Sequence, residues 1–362
     1  MDAMLALEDG TLFRGQAFAG LDPCGGEVVF NTAMTGYQEV LTDASYHGQI
    51  VVFTAPQIGN YGIHEEESES SGFRAAGVVT RAVSLRPSHA RRTSSLPEYL
   101  EKHRAFGLTD VDTRALTLHI RECGNLRGWM TTAVSDPMSA VARARDLTHM
   151  AELRAVEAVT VSERYVFAEA VAGAPRVVVY DFGTKTNILR SLAARGCRVE
   201  VVPAGTSFDE LVAMGPDGVV LSNGPGDPES LAELVPTVRR ILEAFPTLAI
   251  CLGHQLTGLA LGCRITKLPF GHHGANHPVR EISAEQVSIT SQNHNYAIDA
   301  ATLPEGLEVS HVNLNDGTVQ GIRSRDLRVW SVQFHPEASP GPHEAVTIFD
   351  RFVEGLHPGV SV

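Results

Sequence analysis

The sequence predicts an α/β protein of two domains, a β-rich amino-terminal part followed by a doubly wound parallel sheet. Three observations lead there. From Arg176 onward, short apolar runs alternate with helical segments. Before that point, short β-branched runs are separated by Gly, Pro and Asn. Finally, 362 residues are more than one ordinary core organises, so two domains are expected.

In the first part, Glu27–Phe30, Gln49–Phe53 and Gly77–Val79 read as strands between turns. Helical patches follow around Pro97–Phe106 and Asp112–Cys123. Residues 1–150 therefore form the expected amino-terminal domain, and 151–174, rich in Ala, Glu and Val, its connector. Residues 175–362 form the second domain. There Arg176–Tyr180 reads as a strand, Asn187–Arg195 as a helix and Arg198–Pro203 as a strand. Phe208–Met214 is a short helix, Gly218–Leu221 a strand, Glu229–Phe245 a long helix and Thr247–Ile250 a strand. Uninterrupted apolar strands of this kind are covered by helices on both faces, and the site of such a sheet lies at the strands' carboxyl ends. Cys263 to Phe334 reads as added β-structure before a final helix near His343–Leu356.

Composition narrows the function classes. Hydrophobic residues at 43% and charged residues at 20% are those of a globular protein, with no apolar run long enough for a membrane span. The first ten residues lack a basic and then apolar leader pattern, so the cytoplasm is the expected location. A net charge of −13 speaks against nucleic-acid binding, which needs a basic face. The five cysteines are widely spread with no CxxC pair, so neither a zinc ribbon nor a disulfide framework is expected. Four of them read as small core hydrophobes.

The fifth is Cys251, in Leu248-Ala249-Ile250-Cys251-Leu252-Gly253-His254-Gln255. A buried strand runs into the cysteine and a helix starts directly after it, the setting of a nucleophile elbow. A thiol there meets unpaired N–H groups and the positive end of the helix dipole, which favour a thiolate. On this spacing alone, a buried structural cysteine is an equal reading. His335-Pro336-Glu337 shifts the balance. Proline biases His335 toward an extended backbone, and residues two apart in an extended segment share a side. Glu337 can then orient the imidazole, as the third member of a triad does. Ser222-Asn223-Gly224-Pro225-Gly226-Asp227-Pro228, also after an apolar strand, reads as an oxyanion loop whose backbone N–H groups approach a carbonyl oxygen. No phosphate-loop pattern occurs there. The cluster His272, His273 and His277 lacks carboxylate or thiolate partners at ligand spacing, so hydrogen bonding in a turn is expected and no metal.

Cys-Leu-Gly-His-Gln, Asn-Gly-Pro-Gly-Asp-Pro and His-Pro-Glu, in this order, resemble the class I, triad-type glutamine amidotransferases. Gly26–Thr32, Met34–Glu39 and Leu41–Asp43 are similar to the amino-terminal signature of the carbamoyl phosphate synthetase small-chain family. Asp181-Phe182-Gly183, Asn187–Arg190, Phe270–Val279 and Gln333–Pro342 match it too. The resemblance implies a flavodoxin-like amidotransferase domain preceded by a smaller domain of the swivelling β/β/α type. It implies Cys251 as nucleophile, His335 as acid and base, and Glu337 as its partner. Ser45, Gly224, Gly226, Leu252, Gln255, Asn293, Asn295 and Tyr296 match positions that hold L-glutamine in the family. Three departures occur. Ala44 replaces a frequent proline, Ala249 a frequent glycine, and Asn295 a common glycine, where asparagine would tolerate a left-handed backbone.

The implied reaction is hydrolysis of the glutamine side-chain amide through a thioester, with ammonia passed to a separate large chain. That chain uses ATP and bicarbonate to make carbamoyl phosphate for arginine and pyrimidine synthesis. No cofactor is expected on this chain; ATP and a divalent metal belong to the large partner, in a heterodimer or a higher oligomer. Neither nucleic acid nor membrane is an expected partner. An amidotransferase for another synthase, such as anthranilate synthase, would leave the Gly26–Asp43 block unexplained. A catalytically silent subunit would have no need of the triad.

Overall fold

A computed structural model describes residues 1–356. The chain divides into two compact units, Met1–Leu153 with Pro269–Gly274, and Arg154–Leu268 with the chain from Ala275 onward.

The first unit is a closed seven-stranded barrel of β1 (Asp2–Leu7), β2 (Leu12–Ala19), β3 (Cys24–Asn31), β4 (Gln49–Phe53), β5 (Gly77–Val79), β6 (Phe106–Thr109) and β7 (Leu126–Thr131). Around it lie α1 (Tyr37–Thr42), α2 (Leu96–Lys102), α3 (Thr113–Cys123) and α4 (Pro137–Arg145). The period of two along each strand builds two cores. Val28, Phe30, Ile50, Val52 and Val79 enter one apolar cluster. Their neighbours Val29, Val51, Phe53 and Val78 enter another, with Leu96 and Leu100 of α2. The three strands expected here are present, and β1, β2, β6 and β7 were not anticipated. The helix expected over Pro97–Phe106 stops at Lys102, because Arg104 turns to φ 55° and Phe106 opens a strand.

The second unit carries a ten-stranded sheet. Its strands are β8 (Tyr165–Ala168), β9 (Arg176–Asp181), β10 (Arg198–Pro203), β11 (Gly218–Leu221), β12 (Thr247–Ile250), β13 (Ile265–Glu281), β14 (Gln286–Ile298), β15 (Leu307–Asn313), β16 (Val319–Ser324) and β17 (Val329–Val332). The parallel part runs β10-β9-β11-β12-β17, the 2-1-3-4-5 order of a flavodoxin-like sheet. Its helices are α5 (Thr186–Ala193), α6 (Phe208–Met214), α7 (Val235–Ala244), α8 (Leu252–Ala260) and α9 (Thr347–Glu354). Both faces are buried: Val177 and Val179 of β9 enter one cluster, and Val178 and Tyr180 the other.

Three expectations need correction. The stretch 151–174 is not plain connector, because Tyr165–Ala168 pairs antiparallel with β10 and closes one sheet edge. The helix expected over Glu229–Phe245 is a 3-10 segment, Pro228–Leu234, followed by α7. Leu231 leaves helical geometry, and Pro236, which has no N–H to give, falls in the first turn of α7 where none is needed. The histidine cluster lies in β13 rather than a turn. Among the described residues, no helix is long and apolar enough to cross a membrane.

Candidate active site

Cys251 stands between β12 and α8 with φ 53° and ψ −105°, a backbone conformation that costs about 1–3 kcal/mol for a residue with a Cβ. The surroundings hold it there. Its N–H donates to Val332 O at 2.9 Å, and the next glycine, Gly253, donates to Ser222 O at 3.0 Å. A Cβ on Gly253 would lie 2.1 Å from Leu221 O, so only glycine lets α8 approach β11 this closely. The strained turn lifts the thiol out of the sheet at a strand's carboxyl end, and the thiol donates to Asn293 O at 3.5 Å. Ala249 is fully buried in a core cluster. Its methyl therefore fits where glycine is frequent.

His335 follows β17, the parallel neighbour of β12, in which Val332 is paired with Ile250. Cys251 and His335 are thus brought together by adjacent strand ends. The His335 N–H donates to Ser291 O at 2.9 Å, and its Nδ1 lies 2.6 Å from Glu337 Oε1. Both side chains are buried. Nε2, on the other side of the ring, is buried and has no hydrogen-bond partner among the described residues. Burial works against charge on His335, but the Glu337 carboxylate outweighs it and raises the imidazole well above its ordinary value. Burial likewise opposes the Glu337 anion, and Lys185 with His335 outweighs that, lowering the carboxyl to about 2. His254, only three residues from Cys251, is a poor rival as base. Burial lowers it to about 3 and its Nδ1 is tied to Ser331 Oγ at 2.7 Å.

Lys185 was not anticipated. Its ammonium lies 3.0 Å from Glu337 Oε1 and also donates to Ala338 O, with the side chain 2% exposed. Asn187 Nδ2 donates to Glu337 O at 2.6 Å. The signal was available: Lys185 follows β9, so it too stands at the carboxyl end of a parallel strand. Linkage gives a test. A carboxyl lowered from 4.5 to about 2 contributes stability that is present above 4.5 and lost as pH falls toward 2. Lys185→Met removes much of that lowering. The difference in melting temperature between the parent and Lys185→Met should therefore narrow between pH 4.5 and 2. A difference independent of pH would remove Lys185 from this role.

The loop after β11 is stitched to the segment that follows its neighbour β9. Ser222 Oγ accepts from the Phe182 N–H at 3.0 Å, and Asn223 Oδ1 from the Lys185 N–H at 3.0 Å. A Cβ on Gly224 would meet Phe182 O at 2.2 Å, and Gly226 has φ +96°, so both positions require glycine. Leu252, the first residue of α8, presents an N–H that no carbonyl of its own helix can reach.

Asn293, Asn295 and Tyr296 lie on β14, and the Asn293 carbonyl reaches the thiol. The left-handed backbone foreseen at Asn295 is absent, since extended strand geometry suits any residue there. Gln255 is buried on α8, and its Nε2 donates to Tyr296 O at 2.9 Å and to Gln333 Oε1 at 3.1 Å. That side chain therefore braces β14 against the helix. Ser45 belongs to the first unit, in a short 3-10 turn where its N–H donates to Asp43 Oδ1 at 2.9 Å. Ala44 opens the same turn as a helical residue, a place that does not demand proline. Of the histidine cluster, His273 accepts through its carbonyl from the Thr32 N–H at 3.1 Å within the first unit.

Both parts of the chain are similar to known proteins. Residues 178–355 match the family model for class I glutamine amidotransferases. Residues 5–130 match that for the carbamoyl-phosphate synthase small chain, CPSase domain. The carbamoyl phosphate synthase small chain of Solidesulfovibrio magneticus is 47% identical over 366 residues, covering 97% of each chain. That of Thioalkalivibrio sulfidiphilus is 47% identical over 98% of this chain and 97% of its own. That of Aquifex aeolicus is 46% identical over 97% and 98%.

Proposed function

Since the chain belongs to the carbamoyl phosphate synthase small-chain family, we infer that it is the glutamine-hydrolysing subunit of that synthase, working with a large chain. The observation that carries the reading is the strained Cys251 turn beside the buried His335–Glu337 pair.

In the proposed reaction the Cys251 thiolate attacks the side-chain amide carbon of L-glutamine. The oxyanion forms against the Leu252 N–H and the Gly224–Gly226 loop, which needs no reorganisation because its backbone is already fixed. The imidazolium of His335 gives its proton from Nε2 to the amide nitrogen, the C–N bond breaks and ammonia leaves. Glu337 and Lys185 hold the ring so that Nε2 faces the sulfur. Water then attacks the thioester, His335 takes its proton, the C–S bond breaks and glutamate is released. Asn293, Asn295, Tyr296 and Gln255 are assigned to the wall that receives glutamine. Ser45 is assigned as a further glutamine contact.

We assign ATP and a divalent metal to the large chain, and the working assembly to a heterodimer or a multiple of it in the cytoplasm. Its product feeds arginine and pyrimidine synthesis. Ammonia released into water at neutral pH is mostly protonated and useless as a nucleophile, so delivery to a second site is the physical reason for pairing. The test is reconstitution. Alone, the chain should hydrolyse glutamine slowly and make no carbamoyl phosphate from glutamine or ammonium. With the large chain, ATP and bicarbonate, glutamine-dependent synthesis should appear and glutamine turnover should rise, because closing at an interface orders catalytic groups. Synthesis by the chain alone, or no gain on mixing, would reject the pairing.

A further inference from the structure

Outside the catalytic strand ends, the first unit brings together three side chains of metal-binding type. His119 and Cys123 lie one turn apart on α3, and Asp9 comes from the turn between β1 and β2. One ligand atom from each lies within 4.8 Å of the others. His119 Nε2 is 2.6 Å from Asp9 Oδ2, and the other carboxylate oxygen, Oδ1, accepts from the Thr11 N–H at 2.8 Å. Thr11 Oγ1 lies 3.4 Å from the same imidazole nitrogen. The histidine and aspartate side chains are 25% and 31% exposed, and Cys123 is an exposed free thiol. That exposure corrects the expectation that this cysteine is a core residue, and it leaves a path for an ion to enter.

We propose that Asp9, His119 and Cys123 form a three-ligand site for a zinc-type divalent transition metal, with water as the fourth ligand. The donor set is the argument. An imidazole nitrogen, a thiolate and a carboxylate together suit zinc, whose bonds to these atoms run about 2.0–2.3 Å. Tetrahedral binding at those lengths separates ligand atoms by roughly 3.3–3.8 Å, which side-chain rotation reaches from the observed cluster. The 2.6 Å contact of His119 with Asp9 has to open for the ion to enter. Two further features favour a cation here. Cys123 closes the last turn of α3 and His119 stands one turn before it, toward the negative end of the helix dipole. Thr11 holds one carboxylate oxygen, so the other is presented toward the ion. Arg121, the basic residue of that turn, is two positions from each ligand and packs over the Phe270 ring at 5.8 Å. A bound ion would staple the β1–β2 turn to α3. The competing reading is an Asp9–His119 ion pair with Cys123 as bystander.

The test uses the full chain carrying Cys251→Ala, so that the nucleophile thiol contributes no signal. Cobalt(II) should bind at one equivalent with a thiolate-to-metal charge-transfer band, and zinc should displace it. Cys123→Ser should abolish the band. His119→Ala and Asp9→Asn should weaken binding by at least roughly tenfold, the scale on which metal-site partners act. Zinc should raise the melting temperature of the parent and raise that of each variant by less at the same zinc concentration. Melting curves without metal check that each variant folds. No band and no zinc-dependent shift in the parent would overturn the site, as would a band that survives Cys123→Ser, which would place the ion at another thiol.

Discussion

Replacing Cys251 by alanine is expected to abolish glutamine hydrolysis, a loss of at least roughly four orders of magnitude, while the protein stays folded. The loss is large because the neighbouring groups cannot replace the sulfur as nucleophile: burial lowers His254 to about 3 and its Nδ1 is tied to Ser331, and Glu337 is held by His335 and Lys185. The fold survives because the sulfur makes one weak bond, to Asn293 O at 3.5 Å, and the strain lies in the backbone rather than the side chain. Alanine inherits that strain. Glycine at 251 relieves it and should melt no lower than the alanine variant, since a positive φ costs glycine little. In the complex with the large chain, Cys251→Ala should fail with glutamine yet make carbamoyl phosphate from a high ammonium concentration. Glutamine turnover, melting curves and product assays with each nitrogen donor check this. Retained glutamine use would remove Cys251 from the mechanism; loss of ammonium use as well would break the two-site division.

His335→Ala should approach the cysteine variant in its loss of turnover, whereas Glu337→Gln should be roughly one to two orders of magnitude milder. The imidazole moves the proton; the carboxylate orients the ring and holds its charge. The ranking should invert for stability. Glu337→Gln leaves the Lys185 ammonium buried without its nearest anion, and breaking a buried pair from one side costs about 3–5 kcal/mol. His335→Ala leaves the Lys185–Glu337 pair intact and opens a small polar cavity. Turnover and denaturant midpoints for both variants provide the check. Equal turnover losses would mean that Glu337 does more than orient, and a more stable Glu337→Gln would mean that Lys185 finds another partner.

Much of this was legible before any coordinates. The period of apolar residues from Arg176 marks a parallel sheet buried on both faces, because only strands covered twice can be apolar at every position. Cys251, flanked by an apolar strand and Gly253, and His335-Pro336-Glu337, whose proline sets an extended backbone, carry their chemistry in local spacing. What local pattern cannot carry is which strand end meets which. The 2.6 Å contact of His335 with Glu337 is a matter of two residues, but its position beside Cys251 depends on β12 lying next to β17, strands far apart in sequence. For the same reason no local pattern marks Lys185: its partner Glu337 is 152 residues away (337 − 185), brought close only by the sheet order. The barrel of the first unit shows the limit from the other side. Leu12–Ala19 is half exposed and polar enough to read as loop, and its strand state is set by pairing with β1 and β6 across the closed sheet. Residue chemistry and short-range spacing were thus determined by sequence, while the meeting of remote groups was decided by tertiary structure, because backbone pairing joins strands whose order no single segment encodes.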